Sequence, residues 1–212
     1  MKELHQTLHN TLLLSEFIAA VVGVIYMYRL RKSHWKWFSV YLLIIFFQDY
    51  FWTYNQHFSK KIYFSYFGLP LQFIFMYWLY ALKSLKNKRL FTICVLLFIL
   101  TVGLFIVFKD LNEIPSLSMN IGSAILILLL ILEYIKQIKT DDVLKFKENK
   151  MFYINIGLVL FYIGSYPYHV FSAELYENHI NAWSIYYIYF LVSNSIMYLL
   201  FSVSFIWGKT QS

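Results

Sequence analysis

The chain has few of the residues on which soluble enzymes and secreted domains depend. Only 14% of its 212 residues are charged, against about a quarter in a typical soluble domain. It has a single cysteine, Cys94, which excludes a disulfide bond within the chain. The same shortage means that cysteine usage does not indicate a redox compartment. The composition is therefore far from that of a soluble domain and gives no sign of a disulfide framework.

Several catalytic signatures are also missing. The sequence has no GxSxG elbow, no phosphate-binding loop, no dinucleotide fingerprint and no HExxH motif. No lysine lies between Trp183 and Trp207, which excludes a retinal Schiff base in the last apolar segment. The late segments hold only His169, whereas membrane zinc hydrolases carry an HxxxH pair. No cofactor is expected, and an enzyme is not favoured.

Long apolar runs dominate what is present. Apolar residues make up 60% of the chain, and about 20 such residues in a row cross the hydrocarbon core of a bilayer. Seven runs meet this length, and they predict an all-α, polytopic membrane protein. The predicted spans are Thr11–Tyr28, Trp37–Tyr54, Ile62–Leu82, Leu90–Phe108, Pro115–Tyr134, Phe152–Phe171 and Trp183–Trp207. Short loops join them, so residues 1–212 are interpreted as one seven-helix transmembrane domain.

The basic residues are concentrated in alternate loops. Most of the 18 lysines and arginines lie in the loops after the first, third and fifth spans. Because basic loops stay in the cytoplasm, this distribution predicts an outside N-terminus and a cytoplasmic C-terminus. The net charge of +7 is thus interpreted as a topology signal, with the lipid bilayer as partner and no nucleic acid. The composition indicates the inner (plasma) membrane of a bacterium.

Polar side chains inside the spans form stripes at helical spacing. Such groups are costly in lipid, so they usually face the bundle interior or a watery cavity. Glu16 shares a face with Ala19, Ala20 and Gly23, which are small residues typical of tight helix contact. The predicted ligand-binding residues are Glu16, Gln48, Asp49, Gln72, Asn120, Tyr166, His169 and Asn194.

The depth of these residues favours a pocket that opens outward. At about 1.5 Å per residue, Glu16, Asp49, Asn120 and Tyr166 each lie roughly 8 Å below the predicted outer boundary. Two carboxylates at one depth favour a ligand pocket, although interhelical hydrogen bonding that only holds the bundle together is the alternative. Pro70 is expected to kink the third span, and Pro167 is expected to kink the sixth span.

Two histidines near the N-terminus are the candidates for a metal site. His5 and His9 are four residues apart, which places both on one face of a helix. No cysteine ligand or HExxH motif accompanies them. Scattered interface histidines are the simpler interpretation, so the sequence leaves the metal question open.

Four stretches resemble a group of small, uncharacterised bacterial seven-helix integral membrane proteins. They are Ser15–Glu16, Pro70–Gln72, Gly164–Pro167 and Asn194–Trp207, and the resemblance covers nearly the whole chain. Some proteins of this kind are similar to the seven-helix input modules of sensor kinases. The resemblance implies a sensory fold whose output domain would be a separate protein, and it assigns no chemistry to these motifs.

The expected function is a non-enzymatic membrane sensor or receptor-like subunit. It would bind a small molecule, a lipid or a proton from the outer side and signal to a separate cytoplasmic or membrane protein. A small transporter or channel is the alternative, and its signature would be a polar path through both halves. A membrane-embedded hydrolase with Glu16 or Asp49 as general base is the third interpretation.

Overall fold

The structure, a computed structural model, describes residues 2–54, 63–108, 114–140 and 146–208. Across these ranges the chain is helical and contains no β-strand, which confirms the predicted all-α class. It folds as two compact units. The first unit comprises Met1–Tyr54 with Thr140–Ser212, and the second comprises Asn55–Lys139.

Each unit is built from helices that follow the apolar runs of the sequence. In chain order they are α1 (Lys2–Met27), α2 (Trp35–Tyr54), α3 (64–84), α4 (Lys88–Phe108), α5 (Ile114–Lys139), α6 (150–163), α7 (Tyr166–Asn178) and α8 (Ile180–Trp207). The first unit contains α1, α2, α6, α7 and α8. The second unit contains α3, α4 and α5.

Three helices are long and apolar enough to cross a membrane within the described parts of the chain. They are Glu3–Met27 of α1, Leu117–Lys139 of α5 and Ile180–Trp207 of α8. Large apolar side chains also lie on the surface of α1, where Leu14 is 58% exposed and Ile25 is 68% exposed. Such a surface is unfavourable in water and suits contact with lipid. The finding agrees with a membrane protein.

Helix α1 begins nine residues before the predicted span, at Lys2 rather than Thr11. A contact distant in sequence explains the extra turns. The Nε2 atom of His5 lies 2.9 Å from the Oγ atom of Ser184 in α8. The His5 ring also packs edge-on against Trp183 and Tyr187. The apolar run alone does not show this docking, so it underestimates the helix.

The predicted sixth span, Phe152–Phe171, is interrupted. Helix α6 ends at Ile163, and α7 begins at Tyr166 after a turn at Gly164 and Ser165. Pro167 therefore lies in the first turn of a new helix, where its missing N–H costs least. The prediction of a disturbance near Pro167 was right, but the break itself occurs just before the proline.

Helix α3 carries two wide turns of π-helix. They are Phe64–Gly68, directly before the segment that contains Pro70, and Trp78–Ser84. A π-turn redirects the backbone hydrogen bonds from i−4 to i−5, as from the Leu69 N–H to the Phe64 carbonyl. Pro70 thus lies two residues after a π-turn in α3, and the kink expected at Pro70 stays a prediction.

Small residues set the closest approaches in the first unit. A Cβ atom added to Gly23 of α1 would lie 3.3 Å from the Cα atom of Ser39 in α2. At Gly157 of α6, an added Cβ atom would lie 3.2 Å from the Cα atom of Met197 in α8. Backbones that approach this closely gain dispersion contacts and need small side chains between them. These contacts draw α1, α2, α6 and α8 together.

Candidate functional site

Glu16 is a buried acid of the first unit. It is only 2% exposed, and Ala19 and Ala20 on the same face of α1 are also buried. The carboxyl group is about 21 Å along the helix from its first residue, Lys2, at about 1.5 Å per residue. Because α1 is longer than predicted, Glu16 sits near the middle of the helix.

Two buried tyrosines, Tyr41 and Tyr198, interact electrostatically with both acids and with a third buried tyrosine, Tyr162. Tyr41 interacts electrostatically with Tyr162, Asp49 and Glu16. Tyr198 interacts with Glu16, Tyr41, Asp49 and Tyr162. The three phenols are at most 4% exposed, whereas Asp49 is half-buried. We call these five residues the acid–tyrosine cluster.

Four helices supply the acid–tyrosine cluster. Glu16 comes from α1, Tyr41 and Asp49 from α2, Tyr162 from α6 and Tyr198 from α8. Tyr162 lies in a π-turn, Val159–Ile163, at the end of α6. The cluster therefore combines a buried carboxyl group, a half-buried carboxyl group and three buried phenol groups. Such a set can hold and exchange protons or neutralise a positive charge.

Two further predicted residues are buried in the first unit. Gln48 is 8% exposed and Asn194 is 9% exposed. Asn194 precedes Tyr198 by four residues, so both lie on one face of α8. The Oδ1 atom of Asn194 is buried and accepts no hydrogen bond within the described structure. This oxygen is a free acceptor beside the tyrosine face of α8.

His169 and Tyr166 lie in α7. His169 is half-buried, and its Nε2 atom is 3.2 Å from the Oγ atom of Ser165. Ser165 donates its hydroxyl hydrogen to the carbonyl oxygen of Phe161. Its single proton is therefore engaged by the backbone, and His169 is not placed to activate the hydroxyl as a nucleophile. Tyr166 is 37% exposed.

Gln72 and Asn120 belong to the second unit. Both are half-buried, and the Oδ1 atom of Asn120 is buried without a hydrogen bond from a described residue. Their helices pack together, as the hydrogen bond from the Tyr77 hydroxyl to the Gly122 carbonyl oxygen shows (3.0 Å). Gln72 and Asn120 therefore lie on two helices that pack together inside the second unit.

The metal candidates have other neighbours. His5 contacts Ser184 and the rings of α8 as described above. In the parts of the chain that the structure describes, no group of three or more His, Cys, Asp or Glu side chains could hold a metal ion. The donor set of the acid–tyrosine cluster is made of oxygen atoms, which hard cations prefer over soft transition metals.

The comparisons add no further evidence on the site. No protein-family model matches this chain, and no curated protein or solved structure matches it either.

The sequence analysis missed a second buried acid, Glu133 in α5. It is 1% exposed, and its carboxylate accepts hydrogen bonds from the Ser84 hydroxyl (2.6 Å) and the Gln137 amide (3.0 Å). Lys136 Nζ lies 3.6 Å from the same carboxylate. The sequence did contain a signal for this site. Lys136 and Gln137 follow Glu133 by three and four residues near the end of the predicted fifth span.

Lys150, at the start of α6, was also missed. It is 4% exposed, and its Nζ atom donates to the Ser204 carbonyl oxygen at 3.1 Å. The ammonium lies 5.7 Å from the ring centroid of Phe205. Burial, with a smaller contribution from the nearby Arg29 cation, lowers the pKa of Lys150 to about 8. No pattern in the sequence distinguishes Lys150 from the other loop lysines.

Proposed function

We propose that the chain is a non-enzymatic sensor or receptor-like subunit of the bacterial inner membrane. In this proposal seven helices span the membrane, the N-terminus is outside and the C-terminus is cytoplasmic. The protein binds a small ligand, a lipid or a proton that arrives from the outer side. It then passes a helix shift to a separate signalling protein, as the resemblance to sensor-kinase input modules implies.

The acid–tyrosine cluster is the observation that supports this proposal. Four helices contribute to it, so a change in its charge acts on all four at once. A ligand shifts a conformational equilibrium only by its differential affinity for the two states. Glu16 is buried and Asp49 is half-buried. The cost of holding a charge away from water depends on what neutralises it, so a ligand or proton that changes the charge of these groups can favour one conformational state.

The burial of the cluster also bears on the rival functions. Glu16 is 2% exposed, which suits a ligand site closed by packing better than a general base that meets water-borne substrates. A transporter is favoured by one observation, the break between α6 and α7. Discontinuous helices are common at transport sites, where backbone groups are freed to coordinate the cargo.

Ion flux distinguishes a sensor from a transporter. The full chain is reconstituted in liposomes, and flux of protons, Na⁺ and K⁺ is measured with pH-sensitive and ion-sensitive dyes. If the protein is a sensor, liposomes that contain it should show the same ion flux as protein-free liposomes. Sustained flux that Glu16→Gln abolishes would replace the sensor with a transporter.

Signalling is tested in cells. A strain that lacks the chain is complemented with the wild type, Glu16→Gln or Glu174→Gln, the last of which alters an exposed acid of α7. Transcripts are then compared after steps of external pH and salt. We expect wild type and Glu174→Gln to restore a response that Glu16→Gln does not. Identical transcripts with and without the chain in all steps would contradict a sensory role.

A further inference from the structure

The helices that carry the acid–tyrosine cluster have their lysines only at their ends. In α1, α2 and α6 these are Lys2, Lys36 and Lys150, and α8 has no lysine or arginine. At about 1.5 Å per residue along the helix, Lys2 is about 21 Å from Glu16, Lys36 is about 20 Å from Asp49 and Lys150 is about 18 Å from Tyr162. Lys36 is nearer to Tyr41, at about 8 Å along α2. Among the described residues, the charged groups that act on Tyr41 and Tyr198 are acids and other tyrosines.

Asn194 provides an independent indication of what is bound. Its buried Oδ1 atom accepts no hydrogen bond from any described residue. It lies on the same buried face of α8 as Tyr198, one helical turn away. A buried acceptor without a donor costs about 1–3 kcal/mol in general. Together with two carboxyl groups, it makes this part of the first unit rich in acceptor oxygens.

We infer that the acid–tyrosine cluster binds a singly charged cation in exchange for a proton. When the cation enters, a carboxyl O–H bond breaks, the proton leaves to solvent and the carboxylate neutralises the cation. Glu16 and Asp49 supply the negative charge, and the Asn194 Oδ1 atom and the phenol oxygens complete the coordination. This inference deepens the proposed function, on which it rests, by naming the class of its ligand.

The chemistry suits an alkali-metal ion or a small alkylammonium ion. Both carry one positive charge and accept oxygen ligands, and an ammonium group also gains from aromatic faces. A transition metal fits less well, because the described residues contain no group of three His, Cys, Asp or Glu ligands. Two histidines of the unit have contacts of their own, His5 with Ser184 and His169 with Ser165.

Thermal unfolding tests the inference directly. The purified full chain in detergent is titrated with NaCl, KCl or methylammonium chloride. Ionic strength is held constant with N-methylglucamine chloride, a cation too large for a packed site. We expect at least one probe to raise the unfolding temperature in a saturable way, and more strongly at pH 8 than at pH 6. The probe that acts distinguishes an alkali-metal ion from an ammonium ion.

Variants locate the effect in the cluster. Glu16→Gln, Asp49→Asn and Asn194→Ala are each expected to weaken the cation affinity by about tenfold or more, the scale of one hydrogen bond to a charged group. Glu133→Gln is the matched control, since it neutralises a buried acid of the second unit. Glu133→Gln is expected to lower the unfolding temperature measured without added cation. The rise in unfolding temperature on adding the cation should remain. If Glu16→Gln fails to fold, the other two variants still decide the question.

Several outcomes would overturn the inference. They are a wild-type shift no larger than in N-methylglucamine at both pH values, a shift that persists in all three cluster variants, or a shift that Glu133→Gln also removes. Exchange of a proton for a cation also requires that adding the cation to weakly buffered protein releases protons. The absence of this release would overturn the inference as well. A missing shift combined with a Glu16-dependent transcript response would reject the cation and leave the sensor. A cation shift combined with sustained flux would keep the cation site and reject the sensor.

Discussion

At the residue scale, Lys150 shows how burial changes a cation that the sequence presents as an ordinary loop lysine. Its ammonium is enclosed between α6 and the last turn of α8, where it donates to the Ser204 carbonyl oxygen. A cation at the carbonyl end of a helix is favourable, yet removal from water opposes the charge. The balance lowers the pKa of Lys150 from 10.5 to about 8.

This lowered pKa predicts a pH dependence of stability. Between about pH 8 and 10.5 the unfolded chain binds a proton at Lys150 that the folded chain has lost. Stability from this group therefore rises as the pH increases through that window, and is lost as the pH falls toward 8. In Lys150→Met this rise of stability with pH should be missing, because methionine carries no titrating group. Thermal unfolding in detergent from pH 7 to 9.5 measures the difference between variant and wild type.

Lys147→Met is the control for this prediction, because Lys147 is exposed and lies three residues away. It should follow the wild-type pH curve, since its side chain is already in water. Parallel curves for Lys150→Met and the wild type would show that the buried amine does not change its protonation on folding.

At the element scale, close contacts between helices decide where glycine is needed. An added Cβ atom at Gly122 of α5 would lie 2.4 Å from ring carbons of Phe73 in α3, and that ring is fully buried. At Gly103 of α4, no described atom lies within 4 Å of an added Cβ atom. In the sequence, both glycines interrupt an apolar run in the same way. Only the packing in the structure shows that the site of Gly122 is crowded and the site of Gly103 is open.

These two glycines should respond differently to alanine. Gly122→Ala should destabilise the protein by about 1–3 kcal/mol, because the Phe73 ring must move in a packed interior. Gly103→Ala should be neutral or stabilising by up to about 1 kcal/mol, since alanine favours a helix over glycine. Unfolding midpoints of the two variants in the same detergent test this. Equal effects at both sites would contradict the packing described for α3 and α5.

At the scale of the whole molecule, charge asymmetry predicts how the chain lies in the membrane. The basic loops face the cytoplasm in the proposed topology. A reporter fusion can test this topology, and its position matters at the end of α5. Gln137 there is 1% exposed and donates a hydrogen bond to Glu133. A reporter joined after Gln137 would disrupt that network, so Thr140 is the better fusion point.

Reporter fusions should therefore give an alternating pattern. Fusions after Leu85 and after Thr140 are expected to report a cytoplasmic location, and a fusion after Leu111 is expected to report the outer side. Paired alkaline phosphatase and green fluorescent protein fusions provide opposite signals at each point. A reversed pattern would place the N-terminus inside and end the proposal that the ligand arrives from outside.

The sequence by itself determined the helical class, the membrane character and the positions of most helices. These properties depend on local quantities, which are the length of an apolar run and the charge of a loop. The sequence also singled out Glu16, Asp49 and Asn194, because a polar group in an apolar run is visible without a structure. Each of the three is at least partly buried in the first unit.

Only the tertiary structure decided which polar groups meet and where several helices begin and end. Tyr41 of α2 interacts electrostatically with Glu16 of α1, and Ser84 of α3 donates a hydrogen bond to Glu133 of α5. The early start of α1 depends on the contact of His5 with α8. These outcomes were not predictable from the sequence, since the free energy of each comes from partners distant in the chain.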